Sequence, residues 1–177
     1  MYKRQLRNFL LITGEAQQLL DSENMAELAA FCTESWVIST KTDAGSGSWE
    51  AAACRCLQDL EILEPDWLAL LKQWEQAPEL PGFAPQDPEK LERIAVYFAF
   101  RYLLKAVNDG DLLGRAQFCA LGVLVTDRLS RFVGLPEALR LFSREIEHNE
   151  ENLDTLLEQF WQTEGLSLSA LLSAFGG

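Results

Sequence analysis

The stretch Ile94-Ala95-Val96-Tyr97-Phe98-Ala99-Phe100-Arg101-Tyr102-Leu103-Leu104-Lys105-Ala106-Val107-Asn108-Asp109-Gly110-Asp111 decides the fold. Its first seven residues are apolar all round, which leaves no polar face for two helical turns and predicts a helix in the middle of a core. It is not a membrane span. Arg93, Arg101 and Lys105 interrupt it, and its unbroken apolar run falls far short of the roughly 20 residues a span needs. Asn108-Asp109-Gly110-Asp111 then stops one helix and starts another: Gly110 suits the left-handed residue after a helix end, and Asp111 suits an N-cap. So short a connection predicts an antiparallel hairpin of Leu91 to about Val107 with Leu112 to about Phe132. On the second helix Leu113, Phe118, Leu121, Val125 and Leu129 recur at helical spacing, and Gly114 and Gly122 permit close approach.

Downstream, Gly134-Leu135-Pro136-Glu137 repeats the stop-and-start signal. Leu139, Phe142, Ile146, Asn149, Leu153, Leu156 and Phe160 then alternate three- and four-residue steps, a seam with one polar member. One continuous helix of about 42 Å at 1.5 Å per residue satisfies it and is the favoured reading. The competing reading breaks the run at Asn149 as a cap. Ser167 to Phe175 suits a short terminal helix.

Upstream, Ala77 to Pro88 holds four of the six prolines and separates the two halves of the chain. Pro65 suits the first turn of a helix carrying Trp67, Leu68, Leu71 and Trp74. Ser48 is a plausible cap for a helix through Ala51-Ala52-Ala53 to about Leu63, and Thr40 to Ser48 reads as a loop. Two further helices fit Leu6 to Leu20 and Ser22 to Trp36, with Ser22 or Asn24 capping the second. Only Trp36-Val37-Ile38-Ser39-Thr40 has strand-like content. The fold class is therefore all-α: an irregular multi-helix bundle with a central antiparallel hairpin and a long C-terminal helix.

The 177 residues suffice for one core, and 48% hydrophobic with 24% charged composition excludes a disordered tail. Acids outnumber bases 27 to 15, and the net charge of -12 argues against nucleic acid or an anionic membrane as partner. The acidity is uneven. From Lys90 to Arg144 there are nine basic and five acidic residues, whereas Glu145 to Glu164 holds seven acids and no Lys or Arg, so an acidic last helix can lie beside a basic hairpin. Met1-Tyr2-Lys3-Arg4-Gln5 resembles the read-through of a sequencing-library adapter. It is expected to be foreign, with 6–177 forming a single helical domain, the C-terminal part of a larger protein.

The chemistry-bearing residues are few. Cys54-Arg55-Cys56 places two thiols about 200° apart on a helix, so they cannot grip one ion, and Cys32 and Cys119 lie far off in sequence. Glu145 and His148 have the spacing of a di-iron pair, but a di-iron site needs a second such pair and His148 is the sole histidine. His148 is expected to pair with a carboxylate or to end a helical segment, with a weak pH-sensing role open to it. Arg101 and Lys105, four apart, could converge with Arg115 and Arg144 on Glu145 and Glu147 as an internal salt-bridge network, or on a ligand carboxylate or phosphate. The candidate binding residues are thus Arg101, Lys105, Arg144, Glu145 and His148. No metal site, phosphate loop, nucleophile elbow or dinucleotide fingerprint is present.

Three segments in order carry a resemblance: Cys56-Leu57-Gln58-Asp59-Leu60-Glu61-Ile62-Leu63-Glu64-Pro65-Asp66-Trp67, then Tyr97 to Asp111, then Leu141-Phe142-Ser143-Arg144-Glu145-Ile146-Glu147-His148-Asn149-Glu150-Glu151-Asn152-Leu153. Together they resemble the C-terminal region of the bacterial flagellin lysine-N-methylase family, also labelled cysteine-cluster proteins. The resemblance implies methyl transfer to flagellin lysines by the full-length cytoplasmic protein. It also implies S-adenosylmethionine as donor and an iron–sulphur cluster in an N-terminal cysteine-rich half that this chain does not contain. It carries no catalytic residue onto this sequence. The chain is then expected to hold no cofactor, to be inactive alone, and to partner flagellin or the missing half. The alternative is a stand-alone, non-catalytic helical interaction module.

Overall fold

The computed structural model describes residues 2–33, 49–77 and 87–175. Among these there are helices and no strand, an all-α multi-helix bundle. In chain order the helices are α1 (Tyr2–Asp21), α2 (Met25–Thr33), α3 (Trp49–Asp59), α4 (Pro65–Gln76), α5 (Pro88–Tyr102), α6 (Ala106–Asp109), α7 (Leu112–Val133), α8 (Leu135–Phe142), α9 (Glu150–Gln162) and α10 (Leu168–Ala174). The loop expected over 40–48, its Ser48 cap, the strand-like 36–40 and most of the proline-rich stretch lie outside the described residues.

The helix at the centre is α7. Between Gly114 and Ser130 it buries residues on every side, and it packs against α1, α4, α5, α8, α9 and α10. Its first-turn amides are met from two directions: Asp111 Oδ1 accepts from Gly114 N at 2.8 Å, and Gln17 Oε1 of α1 accepts from Leu112 N at 2.8 Å and Leu113 N at 3.2 Å. Gly110 takes φ 75°, as its place after a helix end requires, and Gly134 at φ 81° turns the chain from α7 into α8. Gly122 lets α5 come close, since a Cβ there would stand 3.0 Å from the Phe98 ring.

The apolar stretch from Ile94 behaves differently from expectation. Instead of filling the core centre, α5 covers one side of α7, burying Leu91, Phe98 and Tyr102 and turning Val96, Phe100 and, beyond its end, Leu104 and Val107 to solvent. The core centre is filled by α7, where Thr126 Oγ1 donates to Gly122 O at 2.7 Å and Ser130 Oγ to Asp127 O at 2.7 Å, while Gln117 Nε2 donates to Leu166 O at 3.0 Å and Arg128 Nη2 to Ala77 O at 3.2 Å. The expected single helix to Val107 also tightens into a 3-10 turn at Leu103–Lys105 before α6. Phe98, Tyr102, Phe118 and Phe142 form the aromatic centre between α5, α7 and α8, with Tyr102 and Phe118 ring centroids 4.7 Å apart in an edge contact. Trp67 of α4 joins through Phe142 at 6.5 Å.

The long C-terminal helix is not continuous. The backbone widens into a π-turn at Ser143–Glu147, closed by His148 N donating to Ser143 O at 3.0 Å, and it then breaks. Asn149 caps α9 by accepting from Asn152 N at 3.2 Å. The apolar seam survives the break because Ile146, Leu153, Leu156 and Phe160 all still reach the core. Asn24, not Ser22, precedes α2, with its Oδ1 accepting from Glu27 N at 3.3 Å. Where the sequence starts α1 at Leu6, the helix already begins at Tyr2.

Candidate functional site

The break between α8 and α9 gathers the polar residues singled out in the sequence. Glu145 and Glu147, two apart on the turn, face opposite ways, and each organises a different neighbour. Glu145 has no exposed surface. Its carboxylate accepts from Leu63 N at 2.9 Å and Glu64 N at 2.7 Å, the two amides that immediately precede α4. Asn152 completes the clasp: its side chain accepts from Glu61 N at 3.0 Å and donates to Glu61 O and Glu145 O, both at 2.8 Å. One buried carboxylate and one buried amide thus fasten the α3–α4 connection to the α8–α9 joint.

Glu147 looks toward α5. Its Oε1 accepts from Tyr102 Oη at 2.8 Å and Tyr97 Oη at 2.9 Å and lies 3.5 Å from Arg101 Nε. Arg101 Nε also donates to Tyr102 Oη at 3.1 Å, while Lys105 Nζ stands 5.3 Å from the centre of the Tyr102 ring. Burial, reinforced by hydrogen bonding to Glu147, pushes the Tyr97 phenol above the ordinary tyrosine value. The Tyr102 phenol is raised further, again chiefly by burial. The hydrogen bond to Tyr102 holds Arg101 more firmly protonated.

A third cluster lies on the outer side of the joint. Arg140 forks onto Glu64, with Nη1 and Nη2 at 3.1 and 3.0 Å from its two oxygens, and also binds Glu137. Arg144 Nε adds a contact of 2.8 Å to Glu64. The hydrogen bond from Arg140 holds the Glu64 and Glu137 carboxyls below the usual carboxylate value. Leu63, Arg140, Ser143, Arg144 and His148 line a shallow groove here. Its polar lining of Arg140, Arg144, Ser143 and His148 is a donor set suited to an oxyanion or carboxylate.

The five candidate residues therefore separate. Arg101 and Lys105 belong to the Glu147 cluster, Arg144 and His148 to the outer groove, and Glu145 to the buried clasp. Convergence of all the cations on one anion is not what the fold builds. Arg115 pairs instead with Asp109. Of the acids from Glu145 to Glu164, Glu147 is the one that forms an ion pair with the basic hairpin among the described residues. His148 ends the π-turn, as one of its two expected roles required. The contributions of Asn152, Tyr97, Tyr102 and Glu64 carry no sequence signal beyond lying inside the quoted segments.

The residues present do not fit an iron–sulphur cluster. Cys32 is exposed on α2, Cys54, Cys56 and Cys119 are buried on α3 and α7, and no three potential ligands come together among the described residues. Cys54 Sγ lies 3.4 Å from Leu71 O and accepts from Gln58 Nε2 at 3.3 Å. The groove that combines an aromatic face with carboxylates, beside Trp74, Glu50 and Glu75, measures about 220 Å³, below the roughly 300–1,000 Å³ typical of small-molecule sites. No helix among the described residues is long and apolar enough to cross a membrane. No protein-family model matches the chain, and no curated protein or solved structure matches it either.

Proposed function

We propose that this chain is the helical C-terminal domain of a protein of the flagellin lysine-N-methylase kind, bracing a cysteine-cluster half or holding the flagellin substrate while methyl transfer takes place elsewhere in the full-length protein. One observation carries the reading. The three segments of the resemblance, far apart in sequence, meet at a single joint: Leu63 and Glu64 from the first, Tyr97, Arg101 and Tyr102 from the second, and Arg144, Glu145 and Glu147 from the third. All three segments thus contribute to the clusters around the α8–α9 break, and this shared location supports reading them as one unit. The groove of Arg144, Ser143 and His148 is the surface offered to the partner.

The decisive experiment is to determine the coding sequence upstream of Leu6. An in-frame cysteine-rich region is expected, and a genuine start without one refutes the proposal. This chain alone, incubated with flagellin and S-adenosylmethionine, should add no methyl mass to any lysine. Arg144→Ala should weaken partner capture while changing stability by no more than about 1 kcal/mol, because its ion pair is exposed.

A second reading, the stand-alone interaction module, draws on a different observation, the apolar face that α5 turns to solvent.

A further inference from the structure

The outer groove gathers donors that the fold leaves unused. The π-turn closes with His148 N donating to Ser143 O, five residues back, which brings Ser143 and His148 one above the other. In an α-helix, residues five apart stand about 140° apart. Widening the turn therefore sets the Ser143 hydroxyl and the imidazole on the same groove as Arg140 and Arg144. Such widened turns are frequent at functional sites. Neither Ser143 Oγ nor the His148 ring makes a hydrogen bond among the described residues. Arg144 brings Nε to 2.8 Å from Glu64, while its terminal Nη1 and Nη2 donate to no acceptor among them.

The arginine pair already displays the group it fits. Glu64 Oε1 is shared by Arg140 Nη1 and Arg144 Nε, and Glu64 Oε2 takes Arg140 Nη2, so a planar carboxylate matches this fork. Charge narrows the ligand further. Arg140 and Arg144 are balanced one for one by Glu64 and Glu137, within a chain of net charge -12. A phosphate group, at about -1.5 to -2, meets that acidic field with up to about twice the repulsion felt by a carboxylate. Leu63, 44% exposed, adds an apolar wall. The groove measures about 610 Å³, within the roughly 300–1,000 Å³ of small-ligand sites and roomier than a lone carboxylate requires.

We propose that the groove captures a carboxylate on a peptide segment of the partner protein. The Nη end of Arg144, the Ser143 hydroxyl and the His148 ring donate to its oxygens, and Leu63 receives a neighbouring apolar side chain. The proposal rests on the groove's role as partner surface. Upstream coding sequence decides the methylase identity, whereas the ligand chemistry is decided on this chain alone, so either can fail without the other. His148 is the sole histidine, and its ring protons therefore give an unambiguous NMR reporter at a fixed pH of about 7. The probes are acetyl-glycyl-leucine with a free terminal carboxylate, acetyl-leucyl-glutamic acid α-amide with a side-chain carboxylate, acetyl-glycyl-leucine amide with none, and inorganic phosphate. At least one carboxylate peptide should shift the ring signals saturably with a Kd of about 1–10 mM. The tighter of the two identifies the source as a chain end or a side chain. The amide should shift nothing, and phosphate should bind at least about 3-fold more weakly. Arg144→Gln should weaken peptide binding at least about 10-fold while keeping the parent's helical circular dichroism. Arg144→Lys should recover only part of the affinity, because an ammonium lacks the fork. Arg93→Gln, at an exposed guanidinium of α5, should change nothing. Absence of a saturable shift with either peptide up to about 50 mM overturns the proposal. So does an equal shift from the amide, tighter binding of phosphate, or an affinity that Arg144→Gln leaves intact.

Discussion

Replacing Glu145 by alanine should be among the most damaging single changes outside the apolar core. The substitution deletes a fully buried carboxylate and leaves the Leu63 and Glu64 amides, now 2.9 and 2.7 Å from its oxygens, without their acceptor. Hydrogen bonds to a charged group are worth about 1.5–3 kcal/mol each, and an orphaned buried donor costs about 1–3. These amides are only part-buried, so water can recover some of that loss, which points to the lower end for both. Adding the space vacated by the side chain brings the expected destabilisation to about 3–4 kcal/mol. With a urea m-value of about 2–3 kcal/mol/M for a chain of this size, the unfolding midpoint should fall by about 1.5 M. Glu145→Gln keeps the shape and one acceptor oxygen and should lose about half as much. Asn152→Ala opens the same clasp from the other side, so the double substitution should cost clearly less than the sum of the singles. Urea titration followed by helical circular dichroism measures the four variants against the parent. A Glu145→Ala variant within about 0.5 kcal/mol of the parent would show that the clasp holds nothing.

Three further outcomes follow from the geometry. Arg140 lowers the Glu64 and Glu137 carboxyls in the folded state, so their stabilisation is present above the unfolded carboxylate value and is lost as pH falls through the folded one. The advantage of the parent over Glu64→Gln should accordingly hold above about pH 5 and shrink as pH falls below the ordinary carboxylate value of about 4.3, read in denaturation midpoints. Burial raises the Cys54 thiol and pushes Cys56 up to about 11 and Cys119 to about 12, so a thiol reagent at neutral pH should label Cys32 at once and the others only after unfolding. Rapid labelling of Cys54 in the native protein, read by peptide mass, contradicts that packing. Gly122→Ala gains about 1 kcal/mol of helix propensity but drives a methyl into the Phe98 ring at 3.0 Å. Overpacking of about 1–3 kcal/mol should leave the variant less thermostable, and a raised Tm would mean that Phe98 yields freely.

Where punctuation is local, the sequence was readable. Gly110 with Asp111, Gly134 with Pro136, and Pro65 announce helix boundaries through backbone geometry and capping that need no distant partner. Two readings went astray for physical reasons. An all-apolar helix looks like a core helix, but apolarity signals burial without saying by what, and in α5 half of it faces outward. The central helix α7 was less conspicuous because polar residues interrupt its apolar run: Thr126 and Ser130 bond its own backbone, while Gln117 and Arg128 find partners at Leu166 and Ala77 that no local pattern announces. The break at Asn149 was concealed by a seam that stays apolar across it. What fixes the joint is Glu145 reaching amides 81 and 82 residues away, and no local pattern encodes a backbone acceptor that distant. The candidate list therefore found Arg101, Lys105, Arg144, Glu145 and His148 as polar members of the right segments. It could not tell that they serve three separate clusters.

The clasp also bears on the order of assembly. Contacts between α7 and α8 cross a single glycine turn and can form early, whereas the bonds from Glu145 and Asn152 close a loop of 81 to 91 residues. Such bonds are expected to form after the rate-limiting step, since the entropy of loop closure must be met before they contribute. Stabilisation absent from the transition state resides in the unfolding rate. The joint would then act as a latch: opening it should leave the speed of folding nearly untouched and shorten the lifetime of the folded molecule.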